Sequence, residues 1–124
     1  MYRQLIGSLM YLVNTRPDIC FAVNTMRQFM CEPWRVHWIA AKHILRYLQG
    51  IVEYGLDYRQ GDGVRLAGYT DSDWEGCSSD RKSTSGCCFG LGSAVVSWFN
   101  WKQQSVPLSL AEAKYMAAKY LVSR

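Results

Sequence analysis

No stretch of this sequence approaches the roughly 18 consecutive apolar residues that a bilayer-spanning helix needs, so none of it reads as a helical membrane span. The longest apolar stretch, Leu5 to Val13, is short and diluted by Gly7 and Ser8. Proline is scarce, at three residues, and no segment is repetitive or compositionally biased, which removes rigid linkers and solenoids. Cysteine is present five times, an odd number, without a C-x-x-C pair or regular spacing, so neither a disulfide framework nor a zinc site is indicated. The two histidines, His37 and His43, are six residues apart and do not share a helix face. A phosphate loop is missing too, because Gly90-Leu91-Gly92-Ser93 lacks the Gly-Lys-Ser/Thr ending. Ser83, Thr84 and Ser85 have no histidine in a triad pattern, which argues against a serine nucleophile.

What the chain does have is bulk. Of its 124 residues, 49% are hydrophobic, and five Trp, eight Tyr and four Phe exceed what a solvated linker carries. The composition is that of one modest globular domain or two small interdependent pieces. Net charge is +4 but uneven. Residues 1–50 hold six basic side chains (Arg3, Arg16, Arg27, Arg35, Lys42, Arg46) against Asp18 and Glu32, whereas residues 51–124 hold eight of each sign. A basic first half fits a surface that meets a phosphate backbone, and equally fits ordinary solvated helix faces.

Hydrophobic periodicity places three helices in the first fifty residues. One covers Tyr2 to Val13; a second opens on Pro17 and carries Ile19, Ala22, Val23, Met26 and Met30 at helical spacing; a third opens on Pro33 and closes at Gly50. Beyond Gly50 the period shortens. Tyr54 to Arg59 and Val64 to Thr70 predict a hairpin about Gln60-Gly61-Asp62-Gly63, and Gly86 to Leu91 with Ala94 to Trp101 predict a second about Gly92-Ser93. Asp71 to Ser85 has loop composition, and Ser109 ahead of Glu112 marks the start of a last helix reaching about Val122. The fold class is therefore α+β, with three helices followed by four strands and one helix.

Several strings then resemble one family in order. Tyr2-Arg3-Gln4-Leu5-Ile6-Gly7-Ser8-Leu9-Met10-Tyr11-Leu12, Thr15-Arg16-Pro17-Asp18-Ile19 and His43-Ile44-Leu45-Arg46-Tyr47-Leu48-Gln49-Gly50 resemble the junction of reverse transcriptase with RNase H in copia-type retrotransposon Pol polyproteins. Gly68-Tyr69-Thr70-Asp71-Ser72-Asp73-Trp74, Asp80-Arg81-Lys82-Ser83-Thr84-Ser85-Gly86, Ser97-Trp98 and Ala111-Glu112-Ala113-Lys114-Tyr115-Met116-Ala117 are similar to the RNase H domain itself. The resemblance implies a connection-like helical segment at 1–50 and a partial RNase H-like domain at 51–124. The latter is expected as a truncated mixed sheet with one helix.

An RNase H of this kind holds two Mg²⁺ ions on a few carboxylates, which activate a water and stabilise the leaving oxygen of the scissile phosphate in an RNA–DNA hybrid. By the resemblance, Asp71 matches the first carboxylate, and Asp73 is its neighbour on the loop. The second ought to be the Glu of Ala-Glu-Tyr-Met-Ala, but the chain reads Ala113-Lys114-Tyr115-Met116-Ala117. An ammonium cannot ligate Mg²⁺ and repels it. Glu112 is two residues away, about 200° round a helix, and is a poor substitute. The family's remaining carboxylates are expected beyond Arg124. Asp71 is thus a relict ligand, and the expectation is an inactive fragment with no cofactor, ancestrally Mg²⁺-dependent.

Two non-enzymatic alternatives accompany that reading. The segment also resembles a secreted oomycete effector of the RxLR class, which implies delivery into a host cell, suppression of host defence and a host protein target. Its support is the signal-like stretch Met1 to Ala22 and the tetrad Arg46-Tyr47-Leu48-Gln49, which departs from Arg-x-Leu-Arg at its last position. An amphipathic helix explains residues 1–22 as well. The other alternative is nucleic-acid binding without cleavage through Arg27, Arg35, Lys42 and Arg46.

Overall fold

The structure, a computed structural model, describes residues 1–61, 63–74, 76 and 80–123. The chain forms two compact units, Met1–Gly55 and Leu56–Arg124.

The first unit is helical. Helix α1 (Tyr2–Leu12) buries Tyr2, Ile6 and Leu9, which share one face, while Gly7 and Ser8 point away to solvent. Pro17 opens a 3₁₀ turn, Pro17–Ile19, at a position where its missing N–H costs nothing. Helix α2 (Cys20–Arg27) follows directly and buries Cys20 and Val23. It stops short of Met30, the last residue of the predicted periodicity. Gln28, Phe29 and Met30 each donate to the carbonyl three residues back, so the chain tightens into turns before Pro33, which has no N–H to extend a helix.

Helix α3 (Arg35–Gly50) begins two residues after Pro33 rather than on it. The reason is local. Trp34 is held extended as the N-cap, and its backbone N–H donates to Nδ1 of His37 at 2.9 Å, a side-chain reach-back that sets the first turn. Ala41 and Ile44 are buried on its inner face. Together Tyr2, Ile6, Leu9, Ile19, Val23, Ala41 and Ile44 form the unit's buried core, with Trp38 packed edge-on to Tyr2 at 5.4 Å between ring centroids.

The second unit is a three-stranded antiparallel sheet, ordered β1 (Leu66–Ser72), β2 (Thr84–Leu91), β3 (Ala94–Lys102), with helix α4 (Leu110–Val122) packed on β1 and β2. The hairpin about Gly92-Ser93 is as predicted. Gly92 takes φ +64° at the first central position, which is the demand of a type II′ turn. The first predicted hairpin is not formed. Tyr54 closes a turn after α3, donating to the Ile51 carbonyl at 3.1 Å, and residues 56–61 run as irregular chain. Their polar groups are satisfied by the β2–β3 turn instead: the Tyr58 hydroxyl donates to the Val95 carbonyl (2.8 Å), and Arg59 N–H donates to Ser93 Oγ (2.9 Å). Asp62, at the centre of that expected turn, lies outside the described residues. Three strands, not four, are therefore present among the described residues, and the α+β class holds.

The register puts Gly68, Thr70 and Ser72 on one sheet face with Phe89, Cys87 and Ser85 beside them and Ser97, Phe99 and Trp101 beyond. Helix α4 covers this face, its Tyr120 ring stacking on Trp101 at 4.3 Å. Ala113 and Ala117 lie against the strands, fully buried and small enough for close approach. A Cβ at Gly68 would meet Phe89 at 3.4 Å and Leu121 Cδ2 at 3.6 Å, ordinary van der Waals contacts that place the end of α4 beside this part of β1.

Candidate functional site

The sites expected from sequence divide between the two units. In the sheet unit, Asp71 is the sixth of seven residues in β1, and its side chain is 82% exposed. Its Oδ1 accepts from the N–H of Ser72 at 2.9 Å. The same oxygen is 3.7 Å from Nζ of Lys114, whose side chain is 58% exposed. Lys114 follows the buried Ala113 by one residue, a rotation of about 100° that carries its side chain off the sheet-facing stripe. The fold therefore brings together the two positions that the sequence singles out, and does so with opposite charges.

Helix α4 is held in this place by contacts at its start. Ser109 is the N-cap, its Oγ accepting from Glu112 N–H at 3.2 Å, and the Glu112 carboxylate accepts from Leu108 N–H at 2.6 Å. Glu112 is thus committed to the helix start, as its position about 200° from residue 114 anticipates. Asp73 is committed as well: its carboxylate accepts from Thr84 N–H, and its own N–H donates to the Thr84 carbonyl, closing the end of the β1–β2 ladder.

Sequence reasoning missed Gln103. This side chain is buried just after β3, and its amide donates to Ser85 Oγ (2.7 Å) and to the Ala113 carbonyl (2.9 Å). It ties the first turns of α4 to the sheet and so positions residue 114 over the end of β1. A lone Gln carries no signal of its own. The small residues Ala113 and Ala117, four apart, were the readable sign that helix and sheet come close at this point. No group of three or more His, Cys, Asp or Glu among the described residues is arranged to hold a metal ion.

In the helical unit, Arg27 ends α2, and Arg35, Lys42 and Arg46 lie on α3; all four are exposed. Steps of seven and four residues keep the three on α3 within about 40° of arc, a basic stripe some 16 Å long. The tetrad Arg46-Tyr47-Leu48-Gln49 lies in the last turn of the same helix. Leu48 packs against the core, and the Tyr47 hydroxyl donates to Asp18 Oδ2 at 2.9 Å.

Asp18 is gripped from two sides. Arg16 donates to it twice, at 3.0 and 2.6 Å, and this pairing with the Tyr47 bond holds its carboxyl below the usual carboxylate range, while the Tyr47 phenol is raised by the same bond. A depressed carboxyl stabilises the fold above its unfolded-state value, and that contribution is lost as pH falls through the folded one. Asp18→Asn is therefore expected to flatten the acid limb of the helical unit's stability, below about pH 4, in a urea-melt series against pH. An unchanged acid limb would show that the cluster contributes nothing.

A helical unit is thus followed by a sheet-and-helix unit in which Asp71, near the end of the first strand, meets Lys114 of the helix. Comparison with known proteins supplies the family. The chain is 45% identical over 114 residues to the retrovirus-related Pol polyprotein from transposon RE1 of Arabidopsis thaliana, covering 92% of this chain and 8% of that polyprotein. It is 43% identical over 118 residues to the polyprotein from transposon TNT 1-94 of Nicotiana tabacum, covering 94% of the chain and 9% of the polyprotein. It is also 45% identical over 117 residues to secreted RxLR effector protein 161 of Plasmopara viticola, covering 94% of the chain and 82% of that protein. The chain belongs to a family that includes these segments of copia-type retrotransposon Pol polyproteins and this effector-named protein. No protein-family profile and no solved structure matches it.

Proposed function

We propose that this segment is an RNase H-like fold whose metal centre has been replaced by an internal ion pair, and that its present role is non-enzymatic contact with nucleic acid. The supporting observation is the 3.7 Å approach of Lys114 Nζ to Asp71 Oδ1. A Mg²⁺ ion on Asp71 needs oxygen ligands near 2.1 Å and an environment of net negative charge. A cation about 4 Å away instead opposes a divalent ion by about 2 kcal/mol even in bulk-water dielectric, roughly thirtyfold in affinity, before the missing carboxylate is counted. The ammonium neutralises Asp71 without any metal. The basic stripe Arg35, Lys42 and Arg46 supports the contact role, since clustered cations on one helix face match a phosphate backbone.

The test is cleavage of the RNA strand of an RNA–DNA hybrid in Mg²⁺. No product above background is expected from the unaltered chain, and Mg²⁺-dependent product that scales with protein would overturn the reading.

A secreted effector role is the second reading, supported by the extent to which the chain matches the Plasmopara viticola protein. Weighing against removal of residues 1–22 as a leader, Tyr2, Ile6, Leu9 and Ile19 all belong to the buried core of the helical unit. N-terminal sequencing of protein recovered from a secreting host separates the two.

A further inference from the structure

The turn between α2 and α3 contains a cleft of about 400 Å³ lined by Gln28, Phe29, Cys31, Glu32, Trp34 and His37. Glu32 is its one charged side chain, and that carboxylate has no ion pair or hydrogen bond among the described residues. Three of the other lining side chains are aromatic rings. Those of Phe29 and His37 stack at 3.8 Å and 15°, and Trp34 is 67% exposed. His37 Nδ1 accepts the Trp34 N–H at 2.9 Å, so that nitrogen carries no proton, and the imidazole adds no positive charge to the cleft while the bond stands. The nearby cations in the sequence lie outside the lining. Arg3 donates to the Met30 carbonyl at 3.3 Å, and Arg35, two residues before His37 on α3, is turned about 200° from it.

We infer that this cleft takes the guanidinium of an arginine side chain presented by a partner protein. The site prefers the opposite charge to the basic stripe on α3, so it stands apart from the nucleic-acid reading, and Glu32 repels a phosphate. A guanidinium is planar, always charged and weakly hydrated, and it lies flat on an exposed indole, where the negative face of the ring attracts it. Its forked N–H groups then donate in plane to a carboxylate, two at a time, and the Gln28 amide oxygen is a further acceptor. Other occupants use only part of this lining. An uncharged aromatic group or amide leaves the carboxylate without a countercharge, a quaternary ammonium has no N–H to donate to it, and a lysine ammonium is a strongly hydrated point charge that cannot stack. Glu32 and Trp34 are both exposed, so a side chain standing on another protein's surface reaches them without rearrangement of the turn.

The experiment titrates the isotope-labelled full chain with the peptide acetyl-Gly-Arg-Gly-amide, and in parallel with its citrulline and lysine versions, following the backbone amides of residues 28–37 and the Trp34 indole N–H. The expected result is shifts confined to these residues, with the arginine peptide bound about tenfold tighter than the citrulline one, which keeps the shape and loses the charge, and tighter also than the lysine one. Glu32→Gln and Trp34→Ala are each expected to bring the arginine affinity down to near the citrulline value, and Trp34→Phe to retain part of it. Equal binding of arginine and citrulline, or tighter binding of lysine, overturns the guanidinium site. So does an arginine peptide that moves no resonances or moves only those of other residues. Single-stranded DNA is expected to leave residues 28–37 in place; if it shifts them and displaces the peptide, the occupant is a nucleic acid and the inference fails. The comparison of peptides uses the unaltered protein, so it decides the matter even if a Trp34 variant fails to fold.

Discussion

Replacing Lys114 by glutamate is expected to give the sheet unit a divalent-metal dependence that the unaltered chain does not have. Two carboxylates would then face each other at the end of β1, where an ammonium now sits 3.7 Å from Asp71. Without metal they repel, and because both positions are well exposed the cost is small, a few tenths of a kcal/mol. With Mg²⁺ or Mn²⁺ at about ten times the dissociation constant, preferential binding to the folded state contributes about 1.4 kcal/mol. On a unit of this size that corresponds to a rise in Tm of about 5–10 °C. The unaltered chain should show no such rise at equal ionic strength. A variant that melts at the same temperature with and without metal would mean that position 114 is not a ligand position in this fold.

The second large effect concerns the beginning of the chain. Residues 1–22 supply Tyr2, Ile6, Leu9 and Ile19 to a buried core whose other members are Val23, Ala41 and Ile44. Each large apolar side chain removed from such a core costs about 2–5 kcal/mol. Loss of all four exceeds the roughly 5–15 kcal/mol that usually separates a folded domain from its unfolded chain, or comes close to it. A chain beginning at Val23 is therefore expected to lose the helical unit, seen as collapse of the far-ultraviolet helix signal and of the environment of Trp38, which packs on Tyr2. Protein recovered from a secreting host should accordingly retain Met1 or Tyr2 at its N-terminus. A secreted, folded product starting near residue 23 would favour the effector reading and rule out α1 as an indispensable part of the core.

Much of this architecture was legible in the residues because burial imposes a period. Ile19, Val23 and Ile44 mark their faces, although Val36, Ile39 and Leu45, at helical spacing with Ile44, are exposed and Ala41 is buried in their place, and Gly92-Ser93 fixes a hairpin, since only a glycine there takes positive φ without cost. What was misread was decided by polar satisfaction rather than by period. Tyr54 to Arg59 alternates like a strand, but its hydrogen bonds go to Ile51, Val95 and Ser93, partners that no local pattern announces. The start of α3 shifted past Pro33 because an imidazole three residues on captures the Trp34 N–H, a reach-back that the capping-box pattern assigns to Glu or Gln.

At the candidate site the sequence named both Asp71 and Lys114, because the family string makes position 114 conspicuous. Their pairing across the end of β1 needed the fold. So did Gln103, which places the helix through bonds to Ser85 and Ala113, and whose Oε1 is buried without a hydrogen-bond partner. That atom and Ser72 Oγ are the buried side-chain oxygens without a hydrogen-bond partner among the described residues. Position 114 is thus determined by tertiary structure, although its chemistry is written in one codon.

The replacement of a metal by an ammonium is tested most directly by adding Mn²⁺ to the isotope-labelled unaltered protein and following amide resonances, which paramagnetic Mn²⁺ broadens only near where it binds. Residues 70–72 and 111–115 are expected to keep their line widths at millimolar Mn²⁺, as remote residues do. Selective broadening centred on Asp71 and the first turns of α4 would show that a divalent ion still finds its ligands there and that the ion pair has replaced nothing.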